Sequence, residues 1–141
     1  MKERHAHGLF LHGMVLVVAG LLMGMVVQAV ANPRMGLSAH VGAIMNGTLL
    51  LGMGAFWPSL ALAPSVETLG WWLMIAGSYL SSGSVFLAGA FGTSESTPLH
   101  GAGHAGAAWQ EALVTAGLVV GAVAVLAGCG IALWGLARRR G

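Results

Sequence analysis

A histidine and an asparagine six residues apart, His40 and Asn46, lie inside an almost unbroken apolar run between Gly36 and Trp57, with only Ser38 and Thr48 for polar company. In a helix surrounded by lipid an imidazole and a carboxamide both cost free energy, so they mark a functional site by default. Imidazole brings a nitrogen lone pair for a metal or a proton. The amide brings two donors and an acceptor that could orient a small polar group. The competing reading is structural: both hydrogen-bond neighbouring helices and serve as polar glue.

The other chemistry-bearing residues are sparse. Tyr79 is the only tyrosine, and it stands in another apolar stretch among Ser78, Ser81, Ser82 and Ser84. Gln28, Arg34 and Glu111 lie near the ends of apolar runs. Glu111, at the start of a helix, either caps it through the dipole or accepts a hydrogen bond from a ring N–H. His100 and His104 are four apart, a metal-ligand spacing only if their segment is helical, and its glycine content argues against a helix. His12 reads as structural. Cys129, the only cysteine, excludes a disulfide or cysteine metal site within one chain and reads as a small buried hydrophobe.

The elements that carry these residues follow from composition. Of 141 residues, 57% are hydrophobic and 7% charged, which excludes an ordinary soluble domain. Four apolar runs, at about 8–31, 36–63, 69–91 and 109–136, are each long enough for one membrane span and leave no room for a large extramembrane domain. The expected fold is therefore all-α, a single integral membrane four-helix bundle in contact with lipid. The first run is longer than a signal-peptide core and shows no clear cleavage site, so it is read as a span. Asn32-Pro33-Arg34 is a turn, and residues 92–108 form the one sizeable loop. Lys2, Arg4 and Arg138, Arg139 and Arg140 fall on one side, against Arg34 on the other, so both termini are expected in the cytoplasm. Six basic residues concentrated at termini encode topology, and no nucleic-acid surface is expected. Gly20 with Gly24 and Gly117 with Gly121 form small-xxx-small pairs for close helix packing, within or between subunits.

Depth follows from a rise of about 1.5 Å per residue. His40 lies roughly 6 Å from the exterior end of its span, and Asn46 and Tyr79 both fall near mid-membrane, where they could meet. Gln28, Arg34 and Glu111 cluster near the level of His40. His12 falls near the cytoplasmic end, roughly 15–20 Å in depth from His40. On one helix His40 and Asn46 point about 120° apart.

The run Asn32-Pro33-Arg34-Met35-Gly36-Leu37-Ser38-Ala39-His40, followed by Met45-Asn46-Gly47, Gly101-Ala102-Gly103-His104 and Trp109-Gln110-Glu111, resembles the hydroxylaminobenzene mutases. That family is similar to the styrene oxide isomerases, small four-helix membrane enzymes holding ferric haem b between the subunits of a trimer. The resemblance covers most of the chain. It implies an isomerase of the bacterial inner membrane that converts hydroxylaminobenzene, a small aromatic substrate, to 2-aminophenol. It also implies His40 as the axial ligand of the haem iron. Asn46 and Tyr79 would be catalytic, with Arg34, Gln28 and Glu111 helping to hold the cofactor. The segment after Tyr79, Leu80-Ser81-Ser82, departs from the family pattern. A homotrimer would bring His40 of one subunit opposite Asn46 and Tyr79 of the next, which the 120° divergence denies to one chain. The alternatives are an epoxide isomerase of the styrene oxide type and a non-enzymatic membrane haem-binding protein.

Overall fold

The computed structural model describes residues 1–138, so Arg139 and Arg140, which contribute to the expected charge asymmetry, lie outside the described residues. Of the described residues, 85% are helical. Helix α1 runs Lys2–Met25, α2 Pro33–Phe56, α3 Pro64–Phe91, α4 Pro98–Gly101 and α5 Ala108–Arg138. Four of these, all but α4, are long and apolar enough to cross a membrane. Among the described residues there is no strand.

Local chemistry sets the ends of the helices. Asn32 caps α2, its Oδ1 accepting from the N–H groups of Arg34 (3.0 Å) and Met35 (3.3 Å), and Pro33 occupies the first helical position, where no N–H is needed. Trp57–Ser59 closes α2 as a 3₁₀ turn at Pro58, and the chain then runs to Pro64, the first residue of α3. Gly92 ends α3 with φ 69°, a left-handed conformation that glycine adopts at little cost.

The observed helices differ from the expected spans at both ends of α1. Lys2 to His7, expected as a polar head, form the first turns of the helix, and Gln28 lies in the 3₁₀ turn Val27–Ala29 beyond its end. The physical reason is that the polar residues at this end find partners on other elements: Lys2 Nζ donates to the Leu60 carbonyl in the connection before α3, and His5 Nδ1 donates to Glu67 Oε1 of α3 at 2.8 Å. Helical geometry therefore continues beyond the apolar run.

The spans alternate in direction and associate as two tight pairs, α1 with α2 and α3 with α5, joined through α2 and α3. Glycine makes both pairs close. A Cβ on Gly47 would lie 2.7 Å from the Gly13 carbonyl oxygen, and one on Gly121 would lie 2.7 Å from the Ser81 nitrogen. Backbones thus touch where lipid offers no hydrophobic drive for helices to associate. Both small-xxx-small pairs of the sequence are used inside the chain: Gly20 and Gly24 face Ile44 and His40, and Gly117 and Gly121 face Ser84 and Ser81. Leu9, Leu16, Leu50, Trp57, Met74 and Ala132 form the main buried cluster, which draws on all four spans.

Asn32 and Glu111 organise the far end. Asn32, fully buried, donates from Nδ2 to the His100 carbonyl (2.8 Å) and from its backbone N–H to the Gly89 carbonyl (2.9 Å). One residue therefore ties the start of α2 to the end of α3 and to α4.

Candidate functional site

His40 projects from α2 onto α1. Its Nδ1 lies 2.7 Å from the Gly20 carbonyl oxygen. A carbonyl can only accept, so Nδ1 carries the proton, and Nε2 keeps its lone pair. The same arrangement, a ring N–H held by a backbone carbonyl, fixes the tautomer and orientation of histidines that ligate metals. Gly24 makes the approach possible, because a Cβ there would lie 2.7 Å from Nδ1 and 2.9 Å from Cε1. His40 is half-buried and borders a groove of about 410 Å³ lined by Leu21, Met25, Val27, Gln28 and Leu37. Of the expected cofactor residues, Gln28 thus shares a surface with His40.

This donor set fits a particular class of group. Among the described residues, no three histidine, cysteine or acidic side chains gather as a metal cluster. A single imidazole holds a bare ion poorly but suffices as axial ligand to an iron that brings its own equatorial nitrogens. Aliphatic walls on an open groove suit the flat, apolar face of such a macrocycle.

Asn46 and Tyr79 do not bond one another. Asn46 Nδ2 donates to Ser82 Oγ at 2.9 Å, across the α2–α3 contact. The Tyr79 hydroxyl lies 3.1 Å from His12 Nδ1, on α1, with the two rings edge to face at 5.6 Å. Because α1 starts at Lys2, His12 stands near the middle of the 24-residue helix and not near its end. His12 also packs edge-on against Trp71, whose indole N–H donates to the His5 carbonyl at 2.9 Å. Tyr79 borders a second groove, about 360 Å³ and apolar, between α3 and α5.

Arg34 is exposed in the first turn of α2, where the helix dipole disfavours a cation, and its backbone N–H is bound by the Asn32 cap. Glu111 is buried, and its carboxylate accepts from the backbone N–H groups of Ser94 (3.0 Å), Glu95 (3.1 Å) and Gly106 (2.9 Å). These bonds fold the 92–107 loop onto the start of α5, and no histidine ring lies on its carboxylate. His100 and His104 do not converge: His104 Nε2 lies 3.0 Å from the Ala31 carbonyl, whereas His100 is joined to Asn32 through its backbone.

Sequence reasoning missed Gly24 as the seat of the His40 ring, Ser82 as the partner of Asn46, and His12 as the partner of Tyr79. A signal for the last existed: His5 and His12 are seven apart, nearly one face of α1, and that face meets Glu67, Trp71 and Tyr79 of α3.

Residues 5–137 match the styrene oxide isomerase family. The chain belongs to that family. Two relatives from Ectopseudomonas oleovorans agree with this. Hydroxylaminobenzene mutase HabB is 36% identical over 125 residues, covering 88% of this chain and 76% of its own. Hydroxylaminobenzene mutase HabA is 35% identical over 108 residues, covering 76% of this chain and 80% of its own. No solved structure matches. The chain is therefore a membrane isomerase, and the non-enzymatic haem-binding alternative gives way.

Proposed function

We propose that this isomerase converts hydroxylaminobenzene to 2-aminophenol with ferric haem b held by His40. The single observation that carries the haem reading is the Nδ1–H bond from His40 to Gly20, which leaves Nε2 as the ring's free nitrogen on a residue that borders a groove. The substrate reading rests on the two relatives, both hydroxylaminobenzene mutases. The reaction is an isomerisation without net electron transfer. The N–O bond breaks, a C–O bond forms at the ortho carbon, the ring proton leaves that carbon and nitrogen gains one.

When bound, ferric iron would supply a Lewis acid for the hydroxylamino group. The chain's own residues would do the rest. His40 would hold the iron through Nε2, oriented by Gly20 and given room by Gly24. Leu21, Met25, Val27 and Leu37 exclude water from that face. Asn46 and Tyr79 hydrogen-bond the substrate and its developing charge, which counts for more in a dry site than in water. Arg34, a cation against its own helix dipole, would pair with an anionic group of the cofactor. Glu111 keeps the loop folded beside this end. Neighbouring copies complete each site in a homotrimer, the His40 groove of one facing Asn46 and Tyr79 of the next. Both termini lie in the cytoplasm of a bacterial inner membrane.

The family description favours a second substrate, styrene oxide, for the same residues. Protein purified in detergent should show a Soret band and isomerise hydroxylaminobenzene, with styrene oxide assayed in parallel. His40→Ala should lose both band and activity. A haem-free preparation with full activity would end this reading. Turnover of styrene oxide alone would change the substrate and keep the site.

A further inference from the structure

We propose that His12 is a positioning residue for Tyr79, holding its phenolic oxygen so that the O–H is free for substrate. The inference rests on the proposed role of Tyr79 as a hydrogen-bond donor to substrate, and it assigns to His12 a task beyond the structural one read from the sequence.

The geometry is specific. His12 Nδ1 and the Tyr79 hydroxyl are 3.1 Å apart across α1 and α3. The tyrosine ring stands at 90° to the imidazole. Trp71 meets the same imidazole edge-on, with ring centroids 6.4 Å apart. Trp71 is in turn fixed by its N–H on the His5 carbonyl. Two aromatic contacts and one hydrogen bond therefore set the imidazole.

One proton decides the function of the pair. If the phenolic O–H were donated to Nδ1, Tyr79 would have no donor left for a substrate oxygen or nitrogen. If Nδ1 carries the proton and donates, the phenolic oxygen accepts and its O–H points onward. A donor chain, ring N–H to phenol to substrate, strengthens its last link by polarisation. A Tyr79 that stabilises negative charge on substrate thus requires His12 in the Nδ1–H form. His12 touches neither substrate nor cofactor in this scheme. It stands about 15 Å along the α1 axis from the Gly20–Gly24 level where His40 docks.

The test is a double-mutant cycle on the holoenzyme in detergent. His12→Phe keeps a ring against Trp71 and Tyr79 but removes the nitrogen. His12→Asn places an amide near the position of Nδ1 and can still donate. The expected result for His12→Phe is a roughly tenfold fall in kcat, the worth of one hydrogen bond, with KM and Soret band unchanged. His12→Asn should recover most of the rate. In a Tyr79→Phe background, His12→Phe should cost nothing further, because it acts only through the missing hydroxyl. Additive losses, a His12→Asn rate no better than that of His12→Phe, or loss of the Soret band in His12→Phe would each overturn the proposal. A fully active Tyr79→Phe would remove the role of Tyr79 and the proposal with it, while the His40 reading, tested by its own spectrum, would stand.

Discussion

Gly24→Ala should separate haem binding from folding. A Cβ at position 24 would sit 2.7 Å from His40 Nδ1 and 2.9 Å from Cε1, against an ordinary contact of 3.4 Å or more. The ring must then withdraw by about 0.7 Å or rotate. Withdrawal takes the Nδ1–O distance from 2.7 Å to roughly 3.4 Å, past the range of a hydrogen bond. Rotation breaks it outright. The loss of the bond costs about 1 kcal/mol and the crowding up to about 3 kcal/mol. Gly24 lies in the last turn of α1, so alanine there returns less than the about 1 kcal/mol it returns in a helix interior. The ring borders an open groove and can swing outward, so the apo protein should lose only about 1 kcal/mol in total.

Haem affinity should fall much further. A ligating histidine deprived of its orienting hydrogen bond loses about ten- to a hundredfold in affinity. The assay is titration of apo protein with haem, followed at the Soret band, beside a denaturation curve of each variant. Gly42→Ala is the control, since a Cβ there, on α2, meets nothing within 4 Å. Wild-type haem affinity in Gly24→Ala would refute the argument that the Gly20 bond prepares His40 as ligand.

Other expectations follow from the same contacts. Gly47→Ala should destabilise by about 2 kcal/mol because its Cβ meets the Gly13 backbone, whereas Gly52→Ala, with open space around it, should be neutral or stabilising; denaturation in detergent separates them. Glu111→Ala should expose the 94–106 loop to proteolysis, because three backbone N–H groups lose their acceptor; Soret absorbance retained in this variant would limit Glu111 to holding the loop. Asn32→Ala should lower stability by about 1–2 kcal/mol through loss of the cap and of the bond to His100, read as a lower denaturation midpoint. Co-expression of His40→Ala and Asn46→Ala subunits should restore part of the activity at mixed interfaces. Its complete absence, in mixed oligomers verified by tags, would place both residues in one chain's site.

Architecture was legible because lipid imposes a simple rule: four runs of apolar residues long enough to span give four helices. Helix ends were less legible. Hydropathy marks where apolar residues stop, while the helix α1 continues for six more residues because Glu67 and the Leu60 carbonyl satisfy His5 and Lys2. The glycine pairs announced close packing but not its partner, since Gly20 reads the same whether it meets α2 or another chain. Depth counting placed Asn46 and Tyr79 at one level correctly enough to bring Ser82, three residues from Tyr79, onto Asn46. It could not choose between Tyr79 and Ser82, which point only about 60° apart on α3, and so missed that the tyrosine hydroxyl turns to α1.

That partition of α3 bears on how a small substrate could meet all three residues. His40 docks on α1 at the Gly20–Gly24 level, Asn46 turns to α3 from six residues further along α2, and Tyr79 meets α1 at His12. Along the axes these positions stand roughly 9 Å and 15 Å from His40. Rotation about a membrane-normal axis leaves these depths unchanged, so a neighbouring copy alters which face His40 meets and not its height relative to Asn46 and Tyr79. The His40 groove opens outward between α1 and α2, so whatever covers its free face comes from outside the chain. Cyclic association lets one surface meet a different surface of the next copy. A site divided in this way needs no rearrangement of either helix pair: the contacts that seat His40 on Gly24 and Asn46 on Ser82 remain inside each chain, and only the grooves are shared.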